Sequence, residues 1–139
     1  MTLPSIFIRL IASICLLAIC ASALAESKES ILSRYERESK SAGYSEDFSA
    51  ERGKQLYFNS TTGHQRTPYC TSCHTKDPRS SGKTRSGKAI KPMAPSVNSE
   101  RYTNYKKIEK WFRRNCNTVL NRECTPLEKG DFLTFMFQQ

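Results

Sequence analysis

Cys70-Thr71-Ser72-Cys73-His74 is the stretch from which the rest of the chain is read. Two cysteines separated by two residues, with a histidine directly after the second, form the pattern for covalent attachment of a c-type haem. Two thiols this close in sequence can each form a thioether with one haem vinyl group. The adjacent His74 then reaches the iron from one face, through a neutral imidazole nitrogen. A zinc site would need two further ligands with similar clustering. The downstream cysteines, Cys116 and Cys124, fit that pattern poorly. A thioredoxin-like redox motif needs a buried strand before it, and His64-Gln65-Arg66-Thr67-Pro68-Tyr69 does not read as one.

Upstream, residues 1–25 read as a signal peptide that is removed. Arg9 supplies the positive region, Leu10 to Ile19 the apolar region, and Ala23-Leu24-Ala25 a small-x-small cleavage site. The apolar run is short for a membrane span. Ile19 precedes Cys20, where a lipoprotein signal requires a small residue, so lipidation is not expected. The mature chain is expected to run from Glu26 to Gln139 in the periplasm, with no membrane attachment after processing. Its 114 residues (139 minus 25) suffice for one small domain, and a haem would add a large apolar plate to its limited core. Removing the signal also removes Cys15 and Cys20. With Cys70 and Cys73 assigned to haem, Cys116 and Cys124 remain, and in an exported protein that pair is expected to form a disulfide.

Charge narrows the choice of partner. Lys and Arg number 22 against 13 Asp and Glu, giving +9, or +8 once Arg9 is lost. Nucleic acid is the usual partner of so basic a chain, but an exported haem protein seldom meets it. An acidic redox partner fits better. Lys76, Arg79, Lys83, Arg85, Lys88 and Lys91 cluster just after His74 against a single acid, Asp77, and could serve as a docking patch or as plain solvated surface.

Residues 26–45 read as an N-terminal extension, either disordered or a short helix over Lys28 to Lys40 with Ile31, Leu32 and Tyr35 on its apolar stripe. Residues 46–139 form the main domain. Phe48 to Phe58 reads as a helix with Ser49 as N-cap and Glu51 in its first turn. Gly53 lies on one face with Tyr57 and would let another helix approach closely. His64 falls in a polar loop, as a solvated side chain or, less simply, a second ligand. Asn104 to Cys116 carries Ile108, Trp111, Phe112 and Asn115 at i, i+3, i+4 and i+7, a stripe expected to face the core. An inward Asn115 amide requires a partner, and an iron lacking its sixth ligand is one; Met93, between Pro92 and Pro95, is the other candidate. Thr125-Pro126-Leu127-Glu128 is a complete helix start, with N-cap, proline at the first helical position and capping-box glutamate. Gly130 is expected at a crossing with Gly53.

Three helices around this motif resemble class I cytochromes c, an all-α fold in which methionine is the usual distal ligand. A closer resemblance is carried by Thr84-Arg85-Ser86-Gly87-Lys88, Ala94-Pro95-Ser96-Val97, Glu109-Lys110-Trp111-Phe112-Arg113-Arg114-Asn115-Cys116 and Arg122-Glu123-Cys124-Thr125-Pro126. Together these are similar to the oxygen-binding cytochromes c known as sphaeroides haem protein (SHP), from about Ile31 to the C-terminus. The resemblance implies a small all-α domain around one covalent haem c. It implies Asn115 as a displaceable distal ligand, a Cys116–Cys124 disulfide, and electrons received from a dihaem cytochrome c. A diatomic gas, oxygen or nitric oxide, would bind on reduction. An ordinary carrier with Met93 on iron is the rival, and an enzyme turning over such gases shares the same open-site chemistry.

Overall fold

In the computed structural model, which describes residues 25–59 and 69–139, five helices and one short hairpin follow each other along the chain. They are α1 (Lys28–Ser41), α2 (Ala50–Asn59), α3 (Thr71–His74), β1 (Gly82–Lys83), β2 (Ala89–Ile90), α4 (Tyr105–Leu120) and α5 (Pro126–Met136). Among the described residues no helix is long and apolar enough to cross a membrane.

Each long helix starts where its sequence supplies an oxygen for an orphan N–H. The Ser27 side chain accepts from Ser30 N at 3.1 Å, and Asn104 accepts from Lys107 N at 2.8 Å. Ser49 Oγ accepts from Arg52 N at 3.3 Å at the head of α2. Thr125 and Glu128 form the reciprocal capping box of α5 at 3.1 and 2.8 Å, with Pro126 in the first turn. α1 stops before Gly43, whose φ of 89° a side chain would resist. α4 stops at Asn121 in the left-handed region, φ 57°.

α1 and α2 both pack on α5. Residues 26–45 thus include a helix whose Ile31, Tyr35 and Ser39 are buried. Tyr35 also donates its hydroxyl to Glu109 on α4 at 2.6 Å, and Lys129 Nζ on α5 reaches both oxygens of that carboxylate at 3.0 and 2.9 Å. One carboxylate therefore joins three helices. Its neighbour along α4, Tyr105, donates to Glu38 of α1 at 2.7 Å.

The α2–α5 crossing sets the frame for the site. A Cβ on Gly53 would lie 2.0 Å from the Asp131 carbonyl oxygen, so the two backbones are in contact there. Asp131, though buried, is fully engaged: its carboxylate accepts from Ser49 N at 2.6 Å and from Arg52 Nε and Nη2 at 2.7 and 2.9 Å. Gly130 is the residue just before the Asp131 that Gly53 touches. Its open side faces the Phe48 ring, which a Cβ would meet at 2.1 Å. Below the crossing, Tyr57, Phe112, Phe132 and Phe135 pack ring against ring, mostly edge-on or tilted.

Candidate haem site

α3 is a single turn that begins at Cys70 and ends at His74. Cys73 N and His74 N both donate to Cys70 O, at 3.2 and 3.1 Å. A turn of this pitch brings residues i, i+3 and i+4 to one side, so Cys70, Cys73 and His74 share a face. The chain leaves the turn through Thr75 in the left-handed region, φ 63°, with Thr75 Oγ1 donating to Asp77 O at 2.8 Å. Two elements hold this backbone. The Tyr57 hydroxyl of α2 is shared between the carbonyls of His74 at 3.0 Å and Thr75 at 2.8 Å. Gly82, which opens the β-hairpin, lies so close that a Cβ would come within 2.0 Å of Cys73 O.

His74 has the chemistry that a haem iron asks of its proximal ligand. Burial, reinforced by the Arg101 guanidinium, pushes its imidazole down to about 4, so the ring is neutral at physiological pH. Its Nδ1 is buried with no hydrogen-bond partner among the described residues. Cys70 and Cys73 lie outside the disulfide and are partly buried. Two thiols and one neutral imidazole on one face fit a covalent haem. Among the described residues no three or more His, Cys, Asp or Glu side chains gather as a bare metal-ion site, so the zinc alternative has no donor set there.

Asn115 and Met93 are placed differently from each other. The buried stripe of α4 is Ile108, Phe112, Cys116, Val119 and Leu120. Trp111, 44% exposed, and Asn115 one turn later lie beside that stripe rather than in it, with Arg114 stacked 5.2 Å from the indole. Of the four residues expected on that stripe, Ile108 and Phe112 are buried among protein side chains, and Trp111 and Asn115 are exposed. Spacings of four and eight from Ile108 define the apolar side, and Trp111 begins a neighbouring row. Cys116, next to Asn115, is bonded to Cys124, which closes the α4–α5 connection. Met93 is 7% exposed and belongs to the core, and the N–H groups of Met93 and Ala94 both donate to Pro78 O at 2.8 and 2.9 Å. The loop after His74 therefore folds back on itself. His64 and residues 1–24 of the expected signal peptide lie outside the described residues.

Tyr57 and Tyr102 escaped the sequence reading as site residues. Tyr57 was legible as a helix-face residue, but its acceptors lie on a separate segment. Tyr102 has a buried hydroxyl with no partner among the described residues and a φ of 59°; no local pattern announces either property.

A helical domain folded around this turn defines a small c-type cytochrome. Residues 44–136 match the family described as Domain of unknown function (DUF1924), and the chain belongs to that family and is a close homologue of SHP. It is 47% identical over 91 residues to the cytochrome c-type protein SHP of Cereibacter sphaeroides, covering 65% of this chain and 70% of that protein. It is 41% identical over 71 residues to cytochrome c'' of Methylophilus methylotrophus, covering 50% and 49%. The structure of oxidised SHP, an oxygen-binding cytochrome c, superposes with a TM-score of 0.76 at 40% identity, over 83% of this chain and 99% of that one. Oxidised cytochrome c'' follows with 0.71 at 32% identity, over 81% and 94%. The protein is accordingly an all-α monohaem cytochrome carrying covalently bound haem c.

Proposed function

We propose that the protein is an exported cytochrome that accepts electrons from a partner cytochrome and, once reduced, binds a diatomic gas, oxygen or nitric oxide. In this reading Cys70 and Cys73 hold the haem, His74 is its proximal ligand, and Asn115 is a displaceable distal ligand. When bound, the haem supplies the redox centre and the iron at which a gas competes with the amide. The single observation that carries the site is His74: a half-buried, neutral imidazole on the same face as two thiols, with its backbone held by a tyrosine. The oxygen-binding description of SHP supports the gas.

Asn115 supports displacement by its chemistry and its place. An amide oxygen is a weak, hard donor, and its hold loosens as iron loses charge on reduction. The residue lies on a row of α4 that the protein's own core leaves uncovered, and the disulfide at Cys116 fixes the helix beside it. Met93, by contrast, is packed into the core through a loop pinned to Pro78.

Docking of the electron donor is assigned to the hairpin and its flanks. Lys76, Arg79, Lys83, Arg85, Lys88 and Lys91 are all exposed, and Gly82 seats that hairpin directly on the backbone of the haem motif. An acidic partner, such as a dihaem cytochrome c, would meet positive charge within a short path of the haem. The first 25 residues act as a signal peptide for the periplasm, and residues 46–139 form the cytochrome domain with 26–45 as its N-terminal extension.

The test is ligand exchange. Ferrous protein is expected to bind carbon monoxide and nitric oxide at neutral pH without denaturant. Asn115→Ala is expected to change the ferric spectrum and the gas-binding rates, while Met93→Ala leaves the axial bands in place. A methionine-ligated spectrum abolished by Met93→Ala, with a ferrous form closed to carbon monoxide, overturns the gas-binding function and leaves an ordinary electron carrier.

A further inference from the structure

α4 carries its positive charge where the fold gains nothing from it. Lys106, Lys107, Lys110, Arg113 and Arg114 are all exposed on this one helix. Lys106 and Lys107 stand in its first turn, which holds no acidic residue. The N-terminal end of a helix dipole is positive, so both cations oppose it. Lys110 lies four residues from both Lys106 and Arg114 and three from both Lys107 and Arg113. Like charges at these spacings are neighbours on a helix surface and repel.

No acid answers them. Among the described residues the charged groups of Lys106, Lys107, Lys110 and Arg113 make no ion pair or hydrogen bond, and the Arg114 guanidinium stacks on Trp111. Other helices match their cations. Lys40 meets Glu36 at 2.6 Å on α1, and Arg122 meets Glu128 at 2.6 Å at the head of α5.

Three of the α4 cations also share a concavity. Lys106, Lys110 and Arg113 line a cleft of about 290 Å³, closed by Glu123 of the α4–α5 connection and by Lys129 of α5. Lys129 is already held by both oxygens of Glu109, at 3.0 and 2.9 Å, which leaves the three α4 cations against Glu123 alone. No hairpin residue lines this cleft, so it shares no side chain with the patch assigned to the electron donor.

The spacing sets the shape of an occupant. Residues 106, 110 and 113 fall at i, i+4 and i+7, a single row with steps of about 6 Å and about 4.5 Å along the helix axis. Carboxylates at the same spacing on a second helix would face them one to one. A flat anionic bilayer is a poorer match. A helix that lies on a bilayer turns an apolar row into it, and this row continues to Asn117 with no apolar member.

We propose that Lys106, Lys110 and Arg113, with the cleft they line, form a docking surface for an acidic helix of a second partner protein. The carboxylates of that helix relieve on binding the repulsion that the free protein retains. The inference requires neither the haem nor a particular distal ligand.

Two synthetic helical peptides of identical composition, titrated calorimetrically into the holoprotein at low salt, are the test. One carries Glu at i, i+4 and i+7 on a single row, and the other spreads the same residues around the helix. The single-row peptide is expected to bind at least about fivefold more tightly, and to weaken as salt is added. Lys110→Glu combined with Arg113→Glu should abolish that preference, while Lys83→Glu combined with Lys88→Glu leaves it intact. Lys110→Gln should weaken binding yet raise the thermal midpoint of the free protein, because it removes repulsion. A midpoint that falls shows that the lysine serves the fold, and overturns the proposal. Equal affinity for the two peptides, or a preference untouched by the α4 reversals, also overturns it. Tighter binding of anionic-lipid vesicles through the same residues assigns the row to a membrane, and displacement of the peptide by inorganic phosphate assigns it to a small anion; either result sinks the acidic helix.

Discussion

The Tyr57 hydroxyl bridges from α2 to the backbone of the haem motif, 3.0 Å from the carbonyl oxygen of His74. The second acceptor, Thr75 O at 2.8 Å, belongs to a residue held at φ 63°. One side chain thereby ties the helix crossing to the backbone of His74. Tyr57→Phe keeps the ring and removes the donor from two carbonyls. A loss of about 1–2 kcal/mol is expected in denaturant unfolding of the holoprotein; an unchanged midpoint would show that the hydroxyl is dispensable to the fold.

Gly53→Ala tests the crossing itself. A Cβ placed 2.0 Å from Asp131 O cannot be accommodated by a rotamer change, because the obstacle is backbone. The helices must separate, at the upper end of the ~1–3 kcal/mol typical of overpacking or beyond. Gly87→Ala is a useful contrast: it meets no atom within 4 Å, and only its φ of 82° resists substitution. Thermal unfolding of the two variants is expected to rank Gly53→Ala as much the more damaging.

Glu128 gives stability a pH dependence of known sign. Burial opposes its charge, but the Arg122 guanidinium, at 2.6 and 2.8 Å, and the Thr125 N–H hold its carboxyl below the ordinary range. A depressed carboxyl contributes stability that is present above its unfolded value, about 4.3, and is lost as pH falls through the folded value. Glu128→Gln is expected to be less stable than wild type at pH 7, by the ~1 kcal/mol of a typical cap. The gap should narrow on acidification below about pH 4. A pH-independent difference would assign the effect to the amide geometry instead.

Salt dependence tests the docking patch. If the exposed cations of the hairpin region meet an acidic cytochrome, the bimolecular electron-transfer rate falls as ionic strength rises through the range where the Debye length drops below about 10 Å. Lys83→Glu combined with Lys88→Glu should lower the rate at low salt and flatten that dependence. A rate indifferent to both salt and charge reversal removes the patch from the interface.

The haem turn was legible because its chemistry is local: five consecutive residues hold the whole pattern. The capping box at Thr125 and Glu128 and the Ser49 cap were legible for the same reason. Gly53 was recognised as a close-approach residue, yet the neighbour of Gly130 was not, because Phe48 lies far away in sequence. On α4 the helical wheel identified Ile108 and Phe112 as buried and did not include Cys116, Val119 and Leu120, which complete the protein-covered row. Periodicity gives the spacing of a buried row, and only the neighbouring helices decide which row is buried. The Glu109 tie to Tyr35 and Lys129, and the left-handed Tyr102, depend on contacts between segments that no window of sequence contains.

The Cys116–Cys124 bond has a consequence for how the molecule is assembled. The four cysteines among the described residues fall into two pairs with different chemistry: one is bonded as a disulfide, and the other belongs to the haem motif. Cys116 and Cys124 are only 8 positions apart, across a single helix connection, so they can find each other while the rest of the chain is still unfolded. Cross-pairing with Cys70 or Cys73 would close a far longer loop, with about 0.6 kcal/mol of extra closure entropy for every doubling. The short loop therefore favours the Cys116–Cys124 bond over either cross-pairing. The spacing of the cysteines thus keeps the disulfide pair and the haem pair from mixing with each other.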